Sequence, residues 1–406
     1  MNASNTILNH LSTTMHFLYR HPQTSRVEIA SKTGLTKALI THTISTLLES
    51  GLVYETGAEV RKQKGSVKAR KVIALSPEAA CVIGIEINME RLCLVRTSLN
   101  GQIEETIRVP LRQIDRSNIN EEIAKRIKDL AKNAHSRLLG IGIGVPGHHD
   151  QQNDRIITNN PTWSAFRKAE IERLLDLNVP IYIENNIECM AYGRYLFQPQ
   201  ATPDEFILLH VGPGVYCSFF DAAMIGRKKS DYFGEIGHSV IDINGTLCEC
   251  GKRGCLQTYI AHNWLLQRAS IYYANGSSSV LLSLAKTKED LSIQTLIEAY
   301  RLHDPYVRTI LEDGLDRLAI TISNLLIVND ASQIFMNSEV LQEPLLQHYF
   351  LEKMREQFRF ILNSESVPVE ILNFRSDRGA QGACALALYE RLINHSDPDA
   401  FFCEQA

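Results

Sequence analysis

Cys248-Glu249-Cys250-Gly251-Lys252-Arg253-Gly254-Cys255 is the stretch of this chain richest in potential chemistry. Three thiols fall within eight residues, and neither a helical nor a strand period would bury all three as one core stripe. Nine cysteines with no secretory context do not suggest a disulfide framework, and this spacing points instead to a metal. Three thiolates and one imidazole make a closed tetrahedral set of the kind that holds structural zinc, with no open position for catalysis. His238, ten residues upstream of Cys248, is the candidate fourth ligand, although spacing alone also fits a purely structural histidine. Gly251 and Gly254 would let the loop turn back on the ion. Cys81, Cys93, Cys189, Cys217, Cys384 and Cys403 read as ordinary buried or surface residues.

The elements that must position this loop begin near Ser76-Pro77-Glu78. Val82–Ile87, Arg91–Leu99 and Ile103–Leu111 read as three successive strands, with Asn100-Gly101 a strong hairpin turn. A helix over about 119–136 follows, then the apolar strand Leu138–Val145 ending in Pro146-Gly147. After a further helix come the short strand Ile181–Ile183 and a helix running to about Phe197. A second, similar round opens with Phe206–Val211 and Tyr216–Asp221. Two α/β lobes that each open with antiparallel strands predict a cleft between them, where loops at strand ends collect ligand contacts. The stretch from Ala274 to Ser292 reads only as a Gly/Ser-containing loop.

The front of the chain has a different pattern. Leu8, Leu11, Met15 and Leu18 recur at helical steps. Ser25-Arg26-Val27-Glu28 has capping-box spacing and opens a second helix carrying Val27, Ile29 and Ala30, which Gly34 ends. Thr36 caps a third helix with Ile40, Ile44, Leu47 and Leu48 facing inward and Gly51 closing it. Two short helices across a Gly-containing turn form a helix-turn-helix. The outer face of the third helix offers Lys37, Ala38, Thr41, His42 and Ser45 to base edges or phosphates. Val53–Thr56 and Val72–Leu75 read as two strands, and between and beside them lie Arg61, Lys62, Lys64, Lys68, Arg70 and Lys71, a basic wing suited to phosphates or a minor groove.

Charge follows the same division. Residues 1–75 hold ten Lys/Arg against four Glu, a balance of +6, so the rest of the chain carries −10. A small basic module on a larger acidic body implies that only the front end meets a polyanion, here double-stranded DNA. At 406 residues the chain is long enough for two or three domains. No apolar run reaches membrane-spanning length, and Met1-Asn2-Ala3-Ser4-Asn5 lacks the features of a signal peptide, so a cytoplasmic chain without membrane insertion is expected.

Gly234-Glu235-Ile236-Gly237-His238, followed by Cys248-x-Cys250-Gly251-x-x-Gly254-Cys255-Leu256, resembles the hallmark of the ROK family, which contains bacterial sugar kinases and sugar-responsive repressors. Gly142-Ile143-Gly144-Val145-Pro146-Gly147 is similar to that family's Gly-rich turn before the sugar site. Asn159-Asn160-Pro161-Thr162-Trp163 and Glu184-Asn185-Asn186 fall where further sugar contacts are expected. The resemblance implies an α+β winged helix-turn-helix over 1–76, the arrangement of the repressor branch. It implies that 77–406 form a two-lobed α/β, actin-like, sugar-kinase-like domain whose C-terminal helix returns to the first lobe. It strengthens His238 as a zinc ligand and implies sugar contacts from Gly147, Asn159, Asn185, Asn186, Glu235, His238 and Gln257.

Departures from the kinase pattern bear on catalysis. Asn186 stands where family kinases have an aspartate that accepts the proton of the attacking hydroxyl, and a neutral amide cannot act as that base. Glu86-Ile87-Asn88-Met89-Glu90 replaces a Gly-rich phosphate loop, Gly212-Pro213-Gly214 replaces Gly-Thr-Gly, and Met336-Asn337-Ser338 replaces the Gly-Gly run on the adenosine side. Phosphoryl transfer needs positioning and charge neutralisation together, so no catalytic residues are assigned. The function expected is a DNA-binding regulator, a repressor of sugar uptake or catabolism genes, which binds an operator as a homodimer or homotetramer and senses a sugar or sugar phosphate. The competing expectations are a ROK sugar kinase with an accessory DNA module, and a regulator controlled by a protein partner such as a transporter component.

Overall fold

A helix close to the C-terminus packs on strands from the first third of the chain, so the first of two compact bodies is built from both ends of the sequence. That body comprises Met1–Pro203 with Ser376–Ala406, and the second comprises Asp204–Arg375. The computed structural model describes residues 3–60, 70–158, 163–225, 230, 232–359, 367–394 and 401.

The first body begins with three helices, α1 (Ala3–Arg20), α2 (Arg26–Thr33) and α3 (Lys37–Glu49), followed by the antiparallel ribbon of β1 (Val53–Val60) and β2 (Arg70–Leu75). This is the winged-helix arrangement. The hydroxyl of Ser25 accepts from the Glu28 N–H and that of Thr36 from the Leu39 N–H, each satisfying an orphan donor of its helix. Gly34 ends α2 at φ +74°, a left-handed cap that L side chains rarely adopt. The Glu28 carboxylate accepts from the Thr24 hydroxyl at 3.2 Å, a departure from the expected reach back to the cap backbone. Val27 points outward at 37% exposure, while Ile29 and Ala30 are buried. On α3 the inward stripe is Ile40, Thr43, Ile44 and Leu47, and Leu48 is only half-buried. That stripe follows the i, i+3, i+4, i+7 rule and leaves position 48 at its margin.

The lobe of the first body is a five-stranded sheet in the order β5-β4-β3-β6-β9, made from β3 (Ala80–Ile87), β4 (Arg91–Ser98), β5 (Ile103–Pro110), β6 (Arg137–Val145) and β9 (Ile181–Asn185). β3, β4 and β5 run antiparallel, and β3, β6 and β9 are parallel. A small ribbon, β7 (His148–Asp150) with β8 (Arg155–Ile157), follows β6. The helices are α4 (Ile119–Lys132), α5 (Lys168–Leu175) and α6 (Asn186–Phe197), and α13 (Arg378–Tyr389) is the returning C-terminal helix. Ile119, Ile123, Ile127 and Leu130 of α4 pack on Ile83, Ile85, Ile141 and Ile143 of the sheet, with Trp163 and Phe166 in the same core. On the strands toward α13, Gly84 and Gly142 are neighbours across β3 and β6. A Cβ on Gly142 would fall 1.8 Å from the Ala383 carbonyl oxygen, so helix–sheet contact here depends on the missing side chain.

The second body holds a four-stranded sheet, β11-β10-β12-β13, from β10 (Glu205–Val211), β11 (Val215–Asp221), β12 (Ile334–Ser338) and β13 (Val369–Ile371). Its helices are α7 (Gln257–Ile260), α8 (His262–Ala274), α9 (Ser279–Leu284), α10 (Ile293–Arg301), α11 (Pro305–Val328) and α12 (Pro344–Gln357). The core joins Leu209, Val211 and Met336 of the sheet to Leu265, Leu296, Leu311, Leu318 and Phe350 of the helices. The segment read as a loop over 274–292 contains α9. Ser278 caps it, but only Leu281 of its six residues is fully buried, too little to print a periodic stripe. Among the described residues no helix is long and apolar enough to cross a membrane.

Candidate functional site

The second body carries the thiol cluster. Gly234 lies at φ +83°, and a Cβ there would meet the Cys217 carbonyl oxygen at 2.2 Å, so the chain enters the site tight against β11. A 3-10 turn, Ile236–His238, then presents His238. The loop folds back through a Cys248 N–H to Lys252 carbonyl bond of 2.8 Å and a Gly254 N–H to Thr246 carbonyl bond of 2.9 Å. Gly254, at φ +66°, passes so close to Asp242 that a Cβ would sit 1.6 Å from its carbonyl oxygen.

His238, Cys248, Cys250 and Cys255 bring their ligand atoms within 4.8 Å of one another, the one such group of His, Cys, Asp or Glu among the described residues. Cys250 Sγ and Cys255 Sγ are 3.6 Å apart, as are Cys248 Sγ and His238 Nδ1. Zinc–sulfur bonds of about 2.3 Å in a tetrahedron give edges of roughly 3.8 Å, so the donor set fits such an ion. Burial pushes the Cys248 thiol up to about 12, so a metal that binds there has to displace its proton. Nδ1 of His238 faces the sulfurs, while Nε2 lies 4.0 Å from a Glu235 carboxylate oxygen. Burial lowers the His238 pKa, which favours the neutral imidazole that a metal requires. Burial also pushes the Glu235 carboxyl up to about 7.

Gln257 is buried at the start of α7, and its amide nitrogen donates to Glu249 Oε1 at 2.6 Å and to Cys248 Sγ at 3.4 Å. Its donors are therefore turned onto the thiol loop. Lys252 Nζ donates to the His238 carbonyl at 2.6 Å. Glu249 and Lys252 have no role assigned from the sequence. Their one signal in the sequence is their place between cysteines, and their partners, Gln257 of α7 and the His238 carbonyl, come from outside that stretch.

In the first body, Asn185 and Asn186 join β9 to α6. Asn185 accepts from the Ile187 N–H at 2.9 Å and donates to the Gly147 carbonyl at 2.8 Å, so it caps α6 and ties it to the turn after β6. Gly147 takes φ +110°, and a Cβ there would meet the Ile157 carbonyl oxygen at 2.1 Å. The Asn186 amide donates to the Ile87 carbonyl at 2.8 Å, and its Oδ1 is buried with no donor among the described residues. Asn159 lies outside the described residues, with Asn160, Pro161 and Thr162, and Trp163 is fully buried.

The segments that depart from the kinase pattern are closed on themselves. Asn88 Oδ1 accepts from the backbone N–H groups of Glu90 and Arg91 at 2.9 and 3.0 Å, sealing the β3–β4 turn. Glu86 is 5% exposed beside Gly379 in the first turn of α13, and burial pushes its carboxyl up to about 7. The Gly212 N–H bonds to the Gly214 carbonyl at 3.0 Å. Met336, Asn337 and Ser338 are fully buried in β12.

On α3, Lys37, Ala38, Thr41 and His42 are exposed and Ser45 is half-buried. Thr41 Oγ1 donates to the Lys37 carbonyl at 2.8 Å, which leaves its lone pairs facing outward as acceptors. His42 also lines an apolar groove with Ile7 and Leu11 of α1. Arg61, Lys62, Lys64 and Lys68 lie outside the described residues, and Arg70 opens β2. Lys71 is exposed and paired across the ribbon. Its Nζ meets Glu55 at 2.5 Å, and Arg26 of α2 meets the other Glu55 oxygen at 2.9 Å, so these cations staple helix to ribbon.

The model of the ROK family matches residues 82–390, which leaves the three helices and the ribbon outside it. A xylose repressor of Bacillus subtilis is 26% identical over 339 residues, covering 82% of each chain. A ROK family transcriptional regulator described as a homolog of the E. coli MLC protein superposes with a TM-score of 0.76 at 17% identity, over 95% of this chain and 97% of that one. A ROK family glucokinase from Streptomyces griseus, solved with glucose and AMPPNP, gives 0.62 at 22% identity over 75% of this chain and 98% of its own. The chain belongs to the ROK family.

Proposed function

We propose that this protein is a DNA-binding transcriptional repressor of sugar-utilisation genes, in which a ROK body senses a sugar or sugar phosphate and performs no phosphoryl transfer. The observation that carries the reading is the winged helix placed ahead of the ROK body, with Lys37, Ala38, Thr41 and His42 exposed along one side of its third helix. Those side chains read the major groove, and the basic residues Arg61, Lys62, Lys64, Lys68 and Arg70 follow phosphates. The repressor relatives support this assignment. Two copies, or two pairs, place their winged helices on half-sites about one helical turn, or a multiple of it, apart.

Glu235 and His238 are sensing groups of the second body, and Asn186 with the Gly147 turn are those of the first, each taken by itself. Asn185 and Gln257 serve by holding others in place, since their hydrogen bonds are taken up by α6 and the thiol loop. Zinc, when bound, supplies the charge that fixes three thiolates and an imidazole in one geometry. His238, Cys248, Cys250 and Cys255 hold it, and the fixed His238 keeps Nε2 directed away from the sulfurs toward Glu235. Absence of kinase chemistry rests on Asn186, which has no proton affinity to offer a sugar hydroxyl. Release of DNA follows when the sugar binds the DNA-incompetent arrangement more tightly.

A mobility shift on the DNA upstream of the protein's own gene, repeated with D-xylose, D-glucose, N-acetylglucosamine and their phosphates, tests the reading. Salt-sensitive binding that one of the sugars weakens is expected. Absence of binding, together with ATP-dependent phosphorylation of a hexose, would overturn it.

A further inference from the structure

The last turn of α1 is bonded to the lobe of the first body through groups that neither DNA reading nor ligand sensing has used. The Arg20 guanidinium donates to the Tyr195 carbonyl at 2.9 Å and to the Thr202 carbonyl at 2.8 Å, and its carbon lies 4.2 Å from the centre of the Tyr195 ring. His16 Nε2 and the Tyr195 hydroxyl share a hydrogen bond of 2.8 Å. Tyr19, buried, donates its hydroxyl to the Leu99 carbonyl at 3.0 Å. A planar, permanently charged fork that bonds two carbonyls and stacks on an aromatic face is a contact only arginine makes.

The two carbonyls are not equivalent in the chain. Tyr195 belongs to the last turn of α6, and Thr202 precedes Pro203, where the chain leaves the first body for the second. The segment between them is itself held. Thr202 Oγ1 donates to the Gln198 carbonyl at 2.8 Å, and buried Arg194 donates to the Ala201 carbonyl at 3.0 Å and to the Gln198 side chain. At its other end α6 starts from Asn185 and Asn186, bonded to the Gly147 and Ile87 carbonyls. Twelve helical residues span about 18 Å, so one stiff element connects the Asn186 junction to the Arg20 contact.

We propose that Arg20 is a positioning residue that couples the winged helix to α6 and to the segment through which the chain crosses between its two bodies. The proposal rests on the DNA-binding reading above. A change in the crossing segment moves the Thr202 carbonyl against a guanidinium fixed to Tyr195, and α1 carries α3 with it, since the two helices pack together and each buries an apolar stripe, Leu11 and Met15 on α1 and Ile40 and Ile44 on α3. Coupling of this kind is reciprocal: DNA bound at α3 must change the opening equilibrium of residues 194–204.

Hydrogen exchange of the full-length protein, with and without a duplex of the DNA upstream of its own gene, tests this without any sugar. In the wild type, bound duplex should change amide exchange across residues 194–204 at least about five-fold. Arg20→Ala should abolish that change while still binding the duplex. Arg20→Lys, which keeps the charge and loses the fork, serves if the alanine variant does not fold, and should reduce the change in the same direction. Wild-type binding with no change at 194–204, or a change that persists in both Arg20 variants, overturns the coupling and leaves DNA binding standing. No wild-type binding to the duplex overturns the DNA reading itself, and the coupling with it.

Discussion

Replacing Glu86 by glutamine should flatten the dependence of stability on pH between 5 and 8. Glu86 sits at the end of β3, 5% exposed, against the first turn of α13. Burial is the largest influence on its carboxyl, and Glu90 and Asp377 add repulsion. A side-chain hydrogen bond with Asn88 and the charge of Arg91 oppose them, and the carboxyl ends at about 7 against an ordinary 4.5. The folded state therefore prefers the protonated acid. Its contribution is complete below pH 4.5, where the unfolded chain is also protonated, and is lost as pH rises through 7. A difference of about 2.5 units at 1.36 kcal/mol each is on the order of 3 kcal/mol, of which roughly 2 to 3 kcal/mol falls between pH 5 and 8. The chain has two tryptophans, Trp163, fully buried in the first body, and Trp264 in the second. In a Trp264→Phe background, urea unfolding followed by Trp163 fluorescence reads the first body alone. Wild-type stability should fall across this window, and Glu86→Gln should lose most of that fall and be the more stable protein at pH 8. Parallel curves for the two proteins would refute the assignment of a buried, proton-binding Glu86.

Asn186→Asp should not restore phosphorylation. The new carboxylate would face the Ile87 carbonyl where an amide now donates, so a loss of about 1–3 kcal/mol of stability is expected in thermal unfolding, with no sugar-dependent ADP release. Cys250→Ser should lose bound zinc and operator binding together, and metal analysis with a mobility shift on the same sample checks this. Normal operator binding with retained zinc would break the link between them. Gln257→Ala removes the donor to Cys248 Sγ and should weaken zinc retention about 10- to 100-fold in a chelator competition, while Thr41→Ala leaves it unchanged.

Much of this architecture was legible because its causes are local. A helix cap, such as Ser25 or Thr36, is decided within three residues, and the thiol loop within eight, so type and spacing suffice. The apolar strands β3, β4 and β6 of the first lobe, buried along nearly their whole length, declare themselves in the same way. What sequence could not reveal are bonds closed over long separations. Asn186 meets a carbonyl 99 residues away, and Lys71 meets Glu55 only because β1 and β2 pair. Asn185, Asn186 and Gln257 all appeared as ligand contacts. Folding commits both polar ends of Asn185 and the donors of the other two to the protein itself. The Gly-rich run after residue 141 is divided similarly. Gly142 admits α13, and only Gly147 shapes the turn.

The same commitment marks the departures from the kinase pattern. A carboxylate at 186 could accept a proton but could not donate to Ile87, whereas the amide does the second at the cost of the first. Glu86, in the stretch that stands where family kinases have a Gly-rich phosphate loop, is buried against α13, and that burial pushes its carboxyl up to about 7. Asn88 closes on the N–H groups of Glu90 and Arg91, which an open phosphate loop would have to present to a ligand. Each of these departures carries an internal bond or a packed side chain in the same body that carries α1. Reversing any one of them should therefore cost stability before it returns activity. On the repressor reading proposed above, a route back to phosphoryl transfer would require residues 86, 88 and 186 to change together, with Gly212-Pro213-Gly214 opened as well, because a single restored group would find its neighbours already bonded to the fold.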